Sequence, residues 1–458
     1  MVNADLLEFW GETMTDKTES ASGTQKDSSG YRYLVLFLLF VVYTFNFLDR
    51  QIISILAIPI KEEMGLSDAQ LGLLGGIAFA ALYSTLGVPI AWLADRWNRT
   101  WIMTIALTVW SGFTALSGMA QNFTQLFLAR MGVGIGEAGG VAPAYSLVAD
   151  YFPPKIRARA LAIYSLGIPV GSAFGVVAGA HIAAGVFSEN FDWRTAFIIV
   201  GLAGALIAPI FKLVVREPKR GQHDSEAQQQ AAEKKPSFGA VLKVLSKKPS
   251  FWFLVFGASC ASMMGYGIFF WIPSFFARSF GLTLLETSWA FGGTIFASGI
   301  LGILAGGVLS DRLGEKNKAM YAIVPAIAFL ATTPFYVGAV MSPNVWMAIA
   351  LFFIPTGLGL AWLGPALSCF QHLVPPNMRS VASSIFLLIN NLIGIGVGVY
   401  VLGKLSTVLQ PTFGDESLRY SILIGSVLYL VAAGLFFLAS KHLNKDWEGD
   451  GQTESADG

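Results

Sequence analysis

The chain has 458 residues, 54% of them hydrophobic and 13% charged, with a formal net charge of +1 and a mean hydropathy of +0.60. Soluble chains carry about 25% charged residues, so the composition argues against a soluble protein, and the near-zero charge argues against a nucleic-acid partner, which favours a strongly basic surface. Two cysteines, Cys260 and Cys369, lie in apolar runs, and the four histidines form no Cys/His cluster, so neither a disulfide framework, a structural metal site nor a cofactor is expected.

Residues 1–30 are polar and mixed in charge, without the apolar stretch and cleavage site of a secretory signal, and are expected to form a disordered cytoplasmic tail. Crossing a bilayer takes roughly 17–25 apolar residues. Such runs follow at 33–58, 69–93, 102–120, 123–148, 158–184 and 194–215, and resume at 251–277, 287–309, 319–339, 344–370, 380–403 and 419–440. The expected fold is therefore an all-α membrane protein of twelve transmembrane helices. It divides into a six-helix bundle over 31–215, a linker over 216–250, a second six-helix bundle over 251–440 and a tail over 441–458. A closed barrel is excluded, because its strands alternate over about ten residues instead of staying apolar for twenty. Inside the linker, Phe238, Val241, Leu242 and Leu245 recur as one helical face beside Lys243, Lys247 and Lys248. A short amphipathic helix on the inner leaflet is expected there; a flexible linker is the plainer alternative.

Lys and Arg favour cytoplasmic loops. With the N terminus inside, those loops hold Arg96, Arg99, Lys155, Arg157, Arg159, the basic residues of 216–248, Arg312, Lys316, Lys318, Arg379, Lys441 and Lys445, whereas the opposite face holds mainly Lys61, Arg278 and Arg419. Both termini are thus expected in the cytoplasm, in a plasma membrane or in the inner membrane of a Gram-negative cell.

Two loop motifs occur once in each half. Ala91-Trp-Leu-Ala-Asp95-Arg96-Trp-Asn98-Arg99 is matched by Gly307-Val-Leu-Ser-Asp311-Arg312-Leu-Gly314, 216 positions later. Pro153-Pro154-Lys-Ile-Arg157 is matched by Pro375-Pro376-Asn-Met-Arg379, 222 positions later. The first pair resembles the signature loop of the major facilitator superfamily, with Asn98 where a glycine is usual; Asn tolerates a left-handed turn. The resemblance implies two pseudo-symmetric bundles with the substrate path between them. Asp95, Arg96, Arg157, Asp311, Arg312 and Arg379 are then candidate members of a cytoplasmic gate, the alternative being a structural brace. Three further segments, Asn46-Phe-Leu-Asp49-Arg50, Arg130-Met-Gly-Val-Gly-Ile-Gly136-Glu137-Ala138 and Gly167-Ile-Pro169-Val-Gly171-Ser-Ala-Phe-Gly175, resemble the Spinster family. That resemblance implies transport of lysophospholipids or sphingolipids.

Four charges fall deep inside predicted helices, all in the first half: Asp49, Arg50, Arg130 and Glu137. A charge at the bilayer centre costs about 2.5–3.5 kcal/mol on insertion scales, so the four must face a polar cavity and one another. Asp49 lies about ten residues, and Arg130 about eight, from the outer ends of their helices, at similar depth given ~1.5 Å per residue. Arg130 and Glu137 share a helix face, and Gly132, Gly134, Gly136, Gly139 and Gly140 are expected to let neighbouring helices approach closely. The functional reading is a proton-coupling and headgroup site; the alternative is an ion cluster that only fixes packing. The second half offers Tyr266, Trp271, Thr356, Trp362, Ser368, Asn390 and Asn391 as a weakly polar, aromatic wall, which suits an amphipathic substrate.

The expected function is proton-coupled transport of an amphipathic lipid by a monomer whose other partners are protons and membrane lipids. The rival is a proton-coupled symporter of a small organic anion or sugar acid. A membrane enzyme would need a nucleophile–base set or metal ligands at helix ends, and the sequence offers neither. A receptor or channel is disfavoured by the two-fold repeat.

Overall fold

The computed structural model describes residues 29–223, 237–314, 317–361, 366, 369–370, 372–375 and 378–448, and its regular structure is helical throughout. Among the described residues, eight segments are long and apolar enough to cross a membrane: Gly30–Ile55, Asp68–Ala94, Arg99–Gly118, Pro154–Ala183, Trp193–Val214, Pro249–Phe280, Met320–Val340 and Val381–Asp446. They correspond to the first, second, third, fifth, sixth, seventh and ninth spans, the last segment holding the eleventh and twelfth. The fourth span is broken into Phe123–Glu137 and Val141–Tyr151. The eighth is Leu284–Gly314, and the tenth begins with Val345–Ala361.

Helix starts follow from local sequence. Ser67, Asn98, Asn122 and Asp192 each accept a hydrogen bond from the backbone N–H three residues on, satisfying donors that a helix start leaves open. At Ser67 the bond is reciprocated by Gln70 in a capping box. Asn98 thus serves as an extended N-cap with φ −66°, not in the left-handed turn that its place in the motif suggested.

The packing repeats. In the first half, span one packs on five, three on six, three on four, and two on four; in the second half, seven packs on eleven, nine on twelve, nine on ten, and eight on ten. These are the same partnerships moved on by six spans, so the chain is two pseudo-symmetric six-helix bundles. The bundles meet where span five packs on eight and span two on eleven, contacts related by the same symmetry. Spans two and eleven carry π-helical turns, Leu73–Ile77 and Leu392–Val397, which touch each other. There a Cβ on Gly76 would stand 2.6 Å from the Gly396 carbonyl oxygen, so only glycine allows the approach.

The described ends of the linker, 216–223 and 237–250, lie on one face of the bundles, here the linker face; the other is the far face. One apolar core is continuous across both bundles toward the far face, drawing on Ile52, Leu56, Leu71, Leu74 and Phe197 from the first half and Phe270, Trp271, Phe275 and Leu402 from the second. The linker-face part of the first bundle packs as a separate cluster, touched from the second bundle by Ile395 and Tyr266. Helix Phe238–Leu245, capped by Ser237, packs on the start of span eleven, with Val241 and Leu245 fully buried in the continuous core.

Candidate functional site

The first span brings Asp49 and Arg50 to the bundle interior, and the fourth brings Arg130 and Glu137. Asp49 is 2% exposed, Arg130 1% and Glu137 0%. Glycines set the helix spacing that makes this possible. On span five, Gly167, Gly171 and Gly175 lie against the first span, where a Cβ on Gly171 would stand 2.1 Å from the Thr44 carbonyl oxygen. On span four, Gly132 meets Phe113, Gly134 the Phe79 carbonyl, Gly136 the Trp110 backbone and Gly139 Ala106, the close approaches that the glycine run announced. Gly140 instead faces its own helix turn at Glu137.

The four charges divide unequally. Arg50 Nε donates to Glu137 Oε2 at 2.6 Å, and its guanidinium lies over the rings of Tyr83, Phe79 and Phe47 at 4.5, 4.8 and 5.1 Å. Asp49 Oδ2 accepts from Thr114 Oγ1 at 2.8 Å. Arg130 interacts electrostatically with Asp49 and Glu137, but no direct ion pair joins them. Asp49 Oδ1, Arg50 Nη2, Arg130 Nε and Nη1, and Glu137 Oε1 are buried without hydrogen-bond partners. A buried polar atom left unpaired costs about 1–3 kcal/mol, more when charged, so the cluster holds several unfilled positions for a proton or a ligand group.

Tyrosines that sequence reasoning passed over surround it. Tyr43 stacks on Tyr164 at 4.2 Å, and Tyr145 meets Tyr164 edge-on at 5.6 Å. In the sequence these are aromatics within apolar runs, indistinguishable from lipid-facing ones; only their helical phase relative to Arg50 would have signalled them. Of the candidates in the second half, Tyr266 touches both apolar clusters and interacts electrostatically with Arg50. Trp271 is fully buried, its Nε1 donating to the Val399 carbonyl at 2.9 Å, so it fastens span seven to eleven instead of facing open space. Thr356 is buried and donates to Phe352 of its own helix. Asn390 is buried and accepts from Ser262 Oγ at 2.9 Å, with Asn391 half-buried beside it. Trp362 and Ser368 lie outside the described residues.

On the linker face, Asp95 ends the second span and is exposed, and Arg96 curls back on Trp92. Arg157 donates to the carbonyls of Ala149 and Phe152, closing the end of span four. Arg379 is half-buried at the start of span eleven. Asp311 and Arg312 belong to helix Leu284–Gly314, and their side chains lie outside the description. The ionic network on this face centres on Arg99, which is 1% exposed. Its guanidinium donates to Glu217 Oε1 at 2.6 Å, to Asp150 and to Ser146. Glu217 Oε2 also accepts from the backbone N–H of Arg99 and Thr100 at 2.9 and 3.1 Å, and Asp150 from Gly221 N–H. The first motif loop is thereby tied to the end of span four and the start of the linker. In the sequence Arg99 is one loop base among several; the signal that marks it is two acids, Asp150 at the end of span four and Glu217 at the start of the linker, on the same face.

The far face carries an ionic contact between the bundles. Asp68, at the start of span two and 3% exposed, accepts from Lys61 Nζ and Arg278 Nη2 on Oδ1 and from Arg278 Nη1 and Ser406 Oγ on Oδ2, each at 2.7 Å. Arg278 and Ser406 belong to the second half. Beside them, Ala69 N–H donates to Thr407 Oγ1 at 3.0 Å. Together with the continuous core, these bonds join the bundles on the far face.

These features meet in one class of protein. The chain matches the profile of the Major Facilitator Superfamily over residues 39–399, and it belongs to that superfamily of membrane transporters. It is similar to an MFS-type efflux pump of Mycolicibacterium smegmatis, 33% identical over 410 residues that cover 89% of this chain and 92% of that one. It is also similar to protein spinster homolog 1 of Xenopus tropicalis, 28% identical over 439 residues, covering 91% and 82%. The solved structure of a bacterial homologue of the human lysosomal transporter Spinster, inward-facing and unoccupied, aligns with a TM-score of 0.83 at 32% identity, covering 93% of this chain and 100% of that one. Within the superfamily the chain is a transporter of the Spinster type.

Proposed function

We propose that the chain moves an amphipathic lipid of the lysophospholipid or sphingolipid kind by alternating access, coupled to protons, with its linker face in the cytoplasm. The Lys and Arg of the linker-face loops support that orientation, and the far face, where the bundles are joined through Asp68, is then the outer one. The observation that carries the reading is the buried quartet of Asp49, Arg50, Arg130 and Glu137 with its unfilled hydrogen-bonding positions. Arg50 and Glu137 satisfy each other in part, whereas Asp49 accepts a single bond from Thr114. Asp49 is therefore the carboxylate freest to exchange a proton, and protonating it takes a neutral quartet to +1. An anionic headgroup offsets that charge and fills the open positions on Arg130 and Arg50. The aromatic rings around Arg50, with Tyr266 opposite, accommodate the apolar part of the substrate. Asp95, Arg96, Arg157, Asp311, Arg312 and Arg379 take the role of a cytoplasmic gate, braced by the Arg99 network.

The test is transport in proteoliposomes under an imposed pH gradient, with a labelled lysophospholipid set against a labelled sugar acid. Gradient-driven movement of the lysolipid, lost in Asp49→Asn at equal protein recovery, is expected. Movement of the sugar acid alone establishes the organic-anion symporter instead.

A further inference from the structure

Beside the linker helix lies an open cavity apart from the charged quartet. About 460 Å³ in volume, it is lined by Ala240, Lys243, Val244, Lys247 and Lys248 from the linker and by Met378 from the start of span eleven. That size lies within the roughly 300–1,000 Å³ of small-molecule sites.

Its charge is uneven. Lys248 Nζ donates to Glu448 and to the Asp446 carbonyl at 2.6 and 2.8 Å, so its charge is compensated. Lys243 and Lys247 are exposed, lie four residues apart on one side of the chain, and pair with no acid among the described residues. Lys243 stands on the helix, which Val241 and Leu245 anchor in the core, and Lys247 on the turn that follows, its backbone N–H donating to the Val244 carbonyl at 3.3 Å. Two uncompensated ammonium groups are thus held at the mouth of a cavity with apolar walls.

The surroundings place this mouth at a membrane interface. Trp252, one turn into span seven, is exposed, donates to the Ser246 carbonyl at 3.1 Å and stacks on exposed Phe256 at 5.8 Å. Phe238 is exposed at the other end of the linker helix. Tryptophan at a span end and lysine beside it are the side chains that favour the headgroup layer.

We infer that this cavity binds the phosphodiester headgroup of an anionic phospholipid from the leaflet on the linker face, with Lys243 and Lys247 on the phosphate and the acyl chains along Trp252 and Phe256. The lipid would pin the linker helix against the start of span eleven.

Native mass spectrometry of the full chain in detergent, with phosphatidylglycerol or phosphatidylcholine titrated in, tests this. Preferential retention of phosphatidylglycerol is expected, weakening about fivefold for each lysine removed in Lys243→Gln and Lys247→Gln and unchanged in Lys441→Gln, a base of the same face outside the cavity. The charge-keeping pair Lys243→Arg and Lys247→Arg should retain the lipid, which guards against a folding defect in the glutamine variants. Equal retention by wild type and the double glutamine variant, equal competition by phosphatidylcholine, or full displacement of phosphatidylglycerol by millimolar inorganic phosphate would each overturn the assignment.

Discussion

Asp68 and Asp49 are both carboxylates in the first bundle, 3% and 2% exposed, in opposite surroundings. Asp68 accepts four hydrogen bonds, three of them from cations, and both oxygens are filled. Asp49 accepts one, from a neutral hydroxyl, and its Oδ1 is bare, as are two donors of Arg130 and one oxygen of Glu137. A buried charge that is fully bonded resists any change of state, whereas one that is partly bonded sits close in energy to its protonated or liganded forms. Burial alone therefore does not separate the two carboxylates; the count of satisfied positions does. Asp68 ties the bundles together, whereas the Asp49 cluster is the place we propose for the exchange of proton and substrate.

The largest effect should come from the latch. Arg278→Ala removes two of the four bonds on Asp68 and leaves it Lys61 and Ser406; a hydrogen bond to a charged group contributes about 1.5–3 kcal/mol. Each 1.4 kcal/mol is tenfold in population, so the far-face-closed state should lose its dominance. Spin labels on the far-face ends of spans two and eleven should report a longer distance; an unchanged distribution would remove Asp68 from the latch.

Within the cluster the expected signature is non-additivity. Arg130→Ala should impair transport, and adding Asp49→Asn should cost less than the two separate losses combined, with a coupling of about 0.5–3 kcal/mol. Strict additivity in a double-mutant cycle on transport rates would say that the two residues do not communicate.

The linker face provides a smaller contrast. Asp95 is exposed, and exposed ion pairs contribute about 0–1 kcal/mol, so Asp95→Ala should shift the ensemble modestly toward the inward-open state and slow turnover. Arg99→Ala leaves Asp150 and Glu217 short of their shared cation and should lower the melting temperature more. The reverse ranking would move the structural weight from Arg99 to Asp95.

The smallest effect concerns pH on the far face. Hydrogen bonds from Arg194, helped by Trp193, hold the Glu63 carboxyl below its ordinary range. A depressed pKa adds stability above the unfolded value, about 4.3, and loses it as pH falls through the folded one. Glu63 is half exposed, so the contribution is under about 1 kcal/mol. Glu63→Gln should melt slightly below wild type at pH 7 and together with it at pH 3; a gap that persists at pH 3 would mean the carboxylate charge is not its source.

Much of this fold was legible in the sequence, because a bilayer forces long apolar helices and the Asp-Arg and Pro-Pro motifs recur after equal numbers of spans. The charged cluster was legible for the same reason: Asp49, Arg50, Arg130 and Glu137 stand in runs where nothing else is charged. The latch was not. Asp68 reads as part of a helix cap, and its partners Arg278 and Ser406 lie 210 and 338 residues away, each ordinary for a helix end. Arg99 was hidden likewise, since one base among many in a cytoplasmic loop carries no mark of its burial. Trp271 shows the converse, an aromatic whose composition suggests a substrate wall but whose indole N–H is spent on the Val399 carbonyl.

The most direct test of the contrast is the number of protons exchanged when substrate binds. Purified protein in a weakly buffered indicator solution would be titrated with lysophospholipid, comparing wild type, Asp49→Asn and Asp68→Asn. The account predicts a proton signal in wild type that survives in Asp68→Asn and disappears in Asp49→Asn. A signal kept by Asp49→Asn and lost by Asp68→Asn would contradict it.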